Sequence, residues 1–261
     1  MTHSITQSKT TAKSIIKFLL AALFWVGVWE LVYLLVGHDT IVASPWQTLL
    51  RVIELGSQGN FWLICLKSIA SIVVGYLCGI AAGGLFAVLS NYCTGAQTLL
   101  SPLLHVVRAT PVASFILLAY FWMQTKNIPA FIAFLIVLPI IWGNTHEGLL
   151  SCDPQLLEMG RVYGFSRLKT LWQIRLPAAV PYFLSGCRTA LGLAWKSGVA
   201  AQALVRPDNT IGNELQNAKI ALETVDIFAW TAVVIVLSVL LERTVMLIFD
   251  RVRKPRKGAS S

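Results

Sequence analysis

Charge is scarce in this sequence. Only 13% of its 261 residues are Asp, Glu, Lys or Arg, where soluble domains carry roughly 25%. A water-exposed globule of this length could not cover its surface with so few charges, which excludes an ordinary soluble enzyme. A disordered chain is excluded by the 56% of hydrophobic residues. Acidic residues are the scarcer sign, 12 against 21 Lys and Arg, for a net charge of +9. Cysteine is sparse and odd in number: Cys65, Cys78, Cys93, Cys152 and Cys187, with no CxxC pair and mostly inside apolar runs. These read as small apolar residues, not as metal ligands or a disulfide framework. No GxxxxGK[ST] occurs; Lys196-Ser197 follows Trp195, where a phosphate-binding loop requires glycine. No His, Cys, Asp and Glu cluster has ligand spacing, and no Ser-His-Asp set or carboxylate dyad can be placed.

What the sequence does have is long apolar runs. A bilayer core needs ~20 apolar helical residues to cross, and six stretches qualify: Phe18–Val36, Ile69–Ser90, about Val106–Met123, Ile128–Asn144, about Ala178–Leu204 and Ile227–Phe249. Each is helical by necessity, because lipid offers no partner to open backbone groups. The first run is too long for a signal-peptide core and no A-x-A-like cleavage site follows it, so it reads as a retained span. The fold class expected is therefore all-α, a polytopic membrane protein of about six transmembrane helices.

Basic residues orient the spans. Lys9, Lys13 and Lys17 precede the first; Arg161, Arg167, Lys169 and Arg175 lie between the fourth and fifth; Arg243, Arg251, Arg253, Lys254, Arg256 and Lys257 close the chain. The other face carries Arg51, Lys67, Lys126, Arg206 and Lys219. The basic face is expected in the cytoplasm, with both termini there. Basic residues at membrane edges are topology signals, so nucleic acid is not the expected partner. The expected divisions are a cytoplasmic N-terminal tail (1–17), a transmembrane domain (18–250) and a basic cytoplasmic C-terminal tail (251–261).

Local signals refine this outline. Ser44 with Pro45 opens a short amphipathic helix, SPWQTLLRVIELG, expected on the outer surface. Gly75, Gly79 and Gly83, four apart, make a smooth face for close packing against another helix of the same chain. The link from Asn144 to Pro177 is the longest polar stretch on the basic face. Asp153 and Pro154 start a helix that Gly164 can stop. Ser166 caps a second, about Arg167–Ile174, and Pro177 stands near the start of the next span. A plain helix connection needs two to eight residues, so this structured, partly apolar link reads as a docking element for another protein. Ala203–Asp226 is polar and external, with a turn at Pro207-Asp208-Asn209 and a short helix expected over Thr210–Leu222. That segment reads either as a pore-mouth element or as a solvated loop.

The link also carries a resemblance. Glu158-Met159-Gly160-x3-Gly164-x9-Ile174-x-Leu176-Pro177 resembles the EAA loop of bacterial ABC-importer permeases, EAA-x3-G-x9-I-x-LP, with Met159 and Gly160 in place of the two alanines. Pro111, Pro139–Leu149 and Leu176–Gln202 look like the nitrate/sulfonate/taurine branch of that family. The likeness runs from about Phe18 to Arg253. It implies a permease subunit in the bacterial cytoplasmic membrane, without enzymatic activity or a bound cofactor of its own. It implies three kinds of partner: two ATPase subunits carrying ATP and Mg, an extracytoplasmic solute-binding protein, and a second copy of this chain. The loop over 144–177 would insert into the ATPase through Glu158, Met159, Gly160, Gly164, Ile174, Leu176 and Pro177. Many members of the branch have Glu at the position of Gln202, where this chain carries an uncharged amide.

A charge within a span costs at least ~2.5–3.5 kcal/mol at the bilayer centre, so each must face a pore, a partner or the rim. Lys196 reads either as lining the translocation path, where it would attract an anion such as a sulfonate or nitrate, or as paired with a protein carbonyl or carboxylate. Arg108 with Pro111, and Gln202, complete the candidate set. Arg188 reads as snorkelling toward lipid phosphates. Two rival readings are a self-sufficient secondary transporter or channel, which usually shows more spans or inverted repeats, and a membrane enzyme, for which no catalytic constellation is found.

Overall fold

Every regular element among the described residues is helical. The computed structural model describes residues 3–253, with side chains from 17 to 249 other than Phe18. Eleven α-helices succeed one another among them: α1 His3–Val36, α2 Pro45–Ser57, α3 Gly59–Tyr92, α4 Thr94–Ala109, α5 Val112–Trp122, α6 Ile128–Leu150, α7 Pro154–Val162, α8 Arg167–Thr170, α9 Leu176–Val205, α10 Ile211–Ala221 and α11 Thr224–Arg253. The helix α1 runs back through most of the expected N-terminal tail. The side chains of Lys9 and Lys13, and residues 254–261 of the expected C-terminal tail, lie outside the described residues.

The expected spans are not all straight apolar rods. Among the described residues four helices are long and apolar enough to cross a membrane: α1, α3, α6 with its preceding 3-10 turn, and α11. A fifth crossing arises if α4 and α5, bent by 105° at their junction, are taken as one span. The expected third span, about Val106–Met123, straddles that bend. Its physical cause is local. Pro111 has no N–H to continue α4 and biases Thr110 away from helical dihedrals, and Thr110 is extended at ψ 131°. The expected fifth span is α9, which is 30 residues long. Arg188, Lys196 and a run of small and polar residues leave it less apolar than the other four.

The chain divides into two compact units. One comprises Met1–Phe61 and Asn217–Val233. In it, α2 starts as expected: the Ser44 hydroxyl accepts from the Gln47 N–H, and the Gln47 side chain accepts from the Ser44 N–H in return. Arg51 forks onto the Asp226 carboxylate, with Nη2 to Oδ2 at 2.9 Å, and pairs with Glu54. The Asp226 hydrogen bonds, seconded by Glu54, raise the Arg51 guanidinium further above its already high ordinary value. Trp29 donates its indole N–H to the Ala43 carbonyl and stacks on Phe228.

The other unit comprises Trp62–Gln216 and Val234–Ser261. Its centre is α6, whose Ile128, Ile132, Ala133, Val137, Ile141 and Leu149 are almost wholly buried. Two apolar clusters flank it, one around Leu104, Trp142 and Leu171, the other around Ile116, Ala119 and Ala201. The glycine stripe of α3 lies against α6. A Cβ on Gly79 would stand 2.6 Å from Val137, one on Gly83 2.8 Å from the Leu138 carbonyl, and one on Gly75 inside the Ala130 carbonyl. The stripe is therefore taken up by packing within the chain, and the absent side chains let the two backbones approach.

Candidate functional site

Two regions of the second unit hold the candidate residues. The first is the link after α6. The Asp153 carboxylate accepts from the Gln155 N–H at 2.9 Å, and Pro154 takes the first helical position of α7. The helix ends at Gly164, at φ +66°. There the Phe165 N–H bonds the Gly160 carbonyl at 2.8 Å and the Gly164 N–H bonds the Arg161 carbonyl at 3.0 Å. This pair of bonds is the Schellman closure, which satisfies the last carbonyls and reverses the chain. Ser166 then caps α8 by accepting from the Lys169 N–H.

Beyond that cap the second helix does not end at about Ile174 as expected. The helix α8 covers only Arg167–Thr170, then Leu171–Arg175 widens into a π-helical turn that runs without interruption into α9. Pro177 has no N–H to give the carbonyl four residues back, and its ring presses on that carbonyl. A wider turn accommodates both, with the Leu176 N–H reaching the Leu171 carbonyl. Arg167 and Val205 thus lie on one unbroken helical run.

Of the motif residues, Gly160 and Ile174 are brought together. Gly160 is buried, and a Cβ there would stand 3.1 Å from Ile174 Cδ1. Glu158 and Met159 are exposed. Leu156, Met159, Val162 and Tyr163 form an outward apolar stripe along α7, with Val162 84% and Tyr163 74% exposed. Among the described residues Glu158 makes no ion pair, so local pairing with Arg161 or Arg167 is not what holds it. Cys152, at the start of the link, is buried, and burial pushes its thiol up against a partly opposing pull from Arg175.

The second region is a cavity of about 360 Å³ at the bend between α4 and α5, walled by α6 and α9. Arg108, Thr110, Lys196 and Ser197 supply its polar lining, and no carboxylate lines it among the described residues. Arg108 and Lys196 are far apart in the sequence and meet here. The Arg108 guanidinium donates to the Pro139 carbonyl of α6. It fits because Gly143 has no side chain: a Cβ there would stand 2.5 Å from Arg108 Nη2. The Lys196 ammonium makes no ion pair among the described residues. Pro111 is the break itself, with Thr110 and Val112 lining the cavity on either side. Arg188 faces a different cavity, of about 390 Å³, with Met246 and Phe249 of α11.

Gln202 lies apart from Lys196. It is 0% exposed; its amide nitrogen donates to the Ser71 hydroxyl at 3.2 Å and the Ser68 carbonyl at 3.4 Å, and its oxygen accepts from the Gly212 N–H at 3.4 Å. The Ser68 hydroxyl accepts from the Ile211 N–H at 2.8 Å. Gln202 is the centre of a buried network joining α3, α9 and the start of α10. Residue patterns do not single out Gly143, Thr110 or Ser197. Of these, Gly143 has a readable signal, a glycine in the interior of an apolar helix where propensity disfavours it.

The sequence profile of the family described as binding-protein-dependent transport system inner membrane component matches residues 75–257. The chain belongs to that family. As a member it is a multi-pass inner-membrane permease subunit of an ABC importer, in the branch with nitrate, sulfonate and taurine permeases. It is 30% identical to the nitrate import permease protein NrtB of Leptolyngbya laminosa over 191 residues, 69% of this chain and 67% of that one. It is 24% identical to the taurine transport system permease protein TauC of Escherichia coli K12 over 222 residues, 82% of this chain and 80% of that one. The fold matches a chain of a bacterial ABC transporter involved in the import of the acidic polysaccharide alginate, with a TM-score of 0.63 at 14% identity over 96% of this chain and 99% of that one.

Proposed function

We propose that this permease subunit carries a small oxyanion of the sulfonate or nitrate kind, and that α7 is the element through which a separate ATPase moves it. The observation that carries the solute reading is the meeting of Arg108 and Lys196 in one cavity without a carboxylate among its described lining. Two cations with low-dielectric walls attract an anion and repel a cation. Arg108, held by the Pro139 carbonyl, is a positioned fork; Lys196, without an ion-pair partner, is a mobile point charge. The names of the relatives, a nitrate and a taurine permease, agree with a cargo that carries an oxyanion group.

The coupling reading rests on the shape of the link. The outward apolar stripe of α7 suits a groove on another protein, while Gly160 turns its bare side to Ile174. Push on α7 passes through the Schellman turn into α8, and from there along one continuous helix to Lys196, about 40 Å away at the helical rise per residue. A rigid rod of that kind converts a displacement at the link into a displacement of the cation at the path. The system proposed comprises two ATPase subunits with ATP and Mg, an extracytoplasmic binding protein and two copies of this chain, with the EAA-like link and both termini on the cytoplasmic side. Symmetric pairing is the default for such assemblies.

The test is reconstitution of the chain with its ATPase and binding protein in vesicles, with ATP hydrolysis screened against sulfonates, nitrate and neutral or cationic solutes. Stimulation by one or more anions is expected. Stimulation by a neutral or cationic compound alone overturns the anion reading, and ATP-independent uptake overturns the coupling reading.

A further inference from the structure

A second basic cavity, of about 600 Å³, lies where α3 ends and α9 begins, beneath the Schellman turn. Arg161, Arg167 and Arg175 line it together with Asn91, Tyr92 and Phe165. Among the described residues none of the three arginines pairs with a carboxylate, and no carboxylate lines the cavity. Three guanidinium groups gathered around one space repel one another unless an anion stands between them.

The floor of the cavity is short of acceptors in the same way. Arg175 Nη1 donates to Asn91 Oδ1 at 2.7 Å, which fixes the orientation of that amide. The amide's other end, Asn91 Nδ2, is buried and has no hydrogen-bond partner. Buried donors are nearly always satisfied, and the residue that carries this one is part of the cavity lining. The Tyr92 hydroxyl donates to the Arg167 carbonyl at 3.1 Å, so Tyr92 holds the start of α8 in place and does not fill the need.

We propose that this cavity binds a phosphate-bearing anion, with the Arg161, Arg167 and Arg175 forks as its donors and Asn91 holding Arg175 in place. Planar guanidinium forks match phosphoryl oxygens two at a time. The site stands where the apolar stretches of α3 and α9 end, the level at which a phospholipid places its phosphate, and basic pockets between spans at that level take anionic headgroups. A free phosphate presents the same oxygens, so the two sources share one chemistry. Occupied, the site would tie α7 and α8 to the end of α3 and stiffen the link. Binding itself is independent of any role of α7 in coupling.

The experiment uses the full-length chain, stripped of phospholipid in detergent and separately placed in phosphatidylcholine nanodiscs. Inorganic phosphate is titrated against the thermal midpoint, and retention of phosphatidylglycerol is counted by native mass spectrometry. One saturable site per chain is expected for at least one probe. Stabilisation by phosphate in phosphatidylcholine identifies the free anion as sufficient; retention of one phosphatidylglycerol without a phosphate effect identifies the headgroup. The paired substitution Arg161→Gln with Arg167→Gln is expected to weaken binding about tenfold or more. Arg243→Gln, on α11 and outside the cavity, is expected to leave it unchanged. Arg167→Lys, which keeps the charge and loses the fork, is expected to fall between them. No saturable binding of either probe to the unsubstituted chain overturns the proposal, as does undiminished binding in the paired variant. Weakened assembly with the ATPase, with neither probe binding, would assign these arginines to a protein contact and likewise overturn it.

Discussion

Ile174 covers Gly160: the tip of its side chain lies where a Cβ on that glycine would begin. Two motif positions on opposite sides of the turn thereby close the link on itself, and α7 is held by its bare face while its apolar stripe faces outward. Gly160→Ala asks Ile174 Cδ1 to give by a few tenths of an ångström, which a flexible methyl can do. Gly160→Leu cannot be accommodated and lifts α7 off. The expected outcome is near-normal ATP-driven uptake for the alanine variant and loss of uptake for the leucine variant, both measured in vesicles with insertion checked in parallel. Full uptake with leucine would refute the closure.

At Gly164 the demand is on the backbone alone. Its φ is +66° and no atom crowds the Cβ position. A side chain there costs about 1–2 kcal/mol from left-handed strain, more for a β-branched one and less for asparagine. Gly164→Val should insert but lose ATP-driven uptake, and Gly164→Asn should retain most of it. Equal uptake by the two variants would count against the reversal as the requirement.

Lys196 and Arg108 are separable because only Arg108 is tied to a carbonyl. Lys196→Ala should lower anion uptake about tenfold with little change in thermal midpoint, since no ion pair is lost. Arg108→Ala should lower both, leaving a cavity beside Gly143. Solute-stimulated ATP hydrolysis and a thermal-shift assay on the same preparations distinguish the two. Unchanged anion uptake in Lys196→Glu would remove the cation from the path.

Gln202→Leu keeps most of the volume but removes the hydrogen bonds to Ser68, Ser71 and Gly212. The Gly212 N–H and the Ser68 carbonyl would be left buried with fewer partners, at a cost of about 1–3 kcal/mol. A lowered thermal midpoint is expected, with uptake per folded molecule preserved. Normal stability with abolished uptake would restore Gln202 to the path.

Cys152 gives a pH readout on the link. Burial raises its thiol above the ordinary value, so at mildly alkaline pH less of it is thiolate, the reactive form. Maleimide labelling of Cys152 should be slower than that of exposed Cys93, and the Cys152 rate should keep rising with pH beyond the ordinary thiol range. Gly160→Leu, by lifting α7 away, should speed Cys152 labelling. Equal rates at Cys152 and Cys93 would place Cys152 in solvent.

The parts of this molecule that obey short-range rules are legible in the residues. Ser44, Asp153 and Ser166 each accept from a nearby backbone N–H, and each cap stands where residue type indicates. Gly164 adopts the left-handed turn that ends the predicted helix there. The α3 glycines pack against α6, as four-residue spacing implies. Pro177 stands near the start of a span, as its type indicates, but the join before it is not legible. Read alone, a proline near a span's start marks a boundary, yet a π-turn absorbs it and α8 runs on into α9. Leu171 and Ile174 on that turn are buried, which no local pattern specifies.

Amino-acid order alone determined that the chain is helical and membrane-spanning, where its caps lie and which link is structured, because lipid and backbone hydrogen bonding act over a turn or a span's length. Folding in three dimensions decided the rest: that the third span bends by 105°, that Arg108 and Lys196 share a cavity while Gln202 is sealed in a network, and that three arginines line one cavity. These are relations between residues distant in sequence. They depend on which helix faces which, and that is settled by packing summed over many side chains at once.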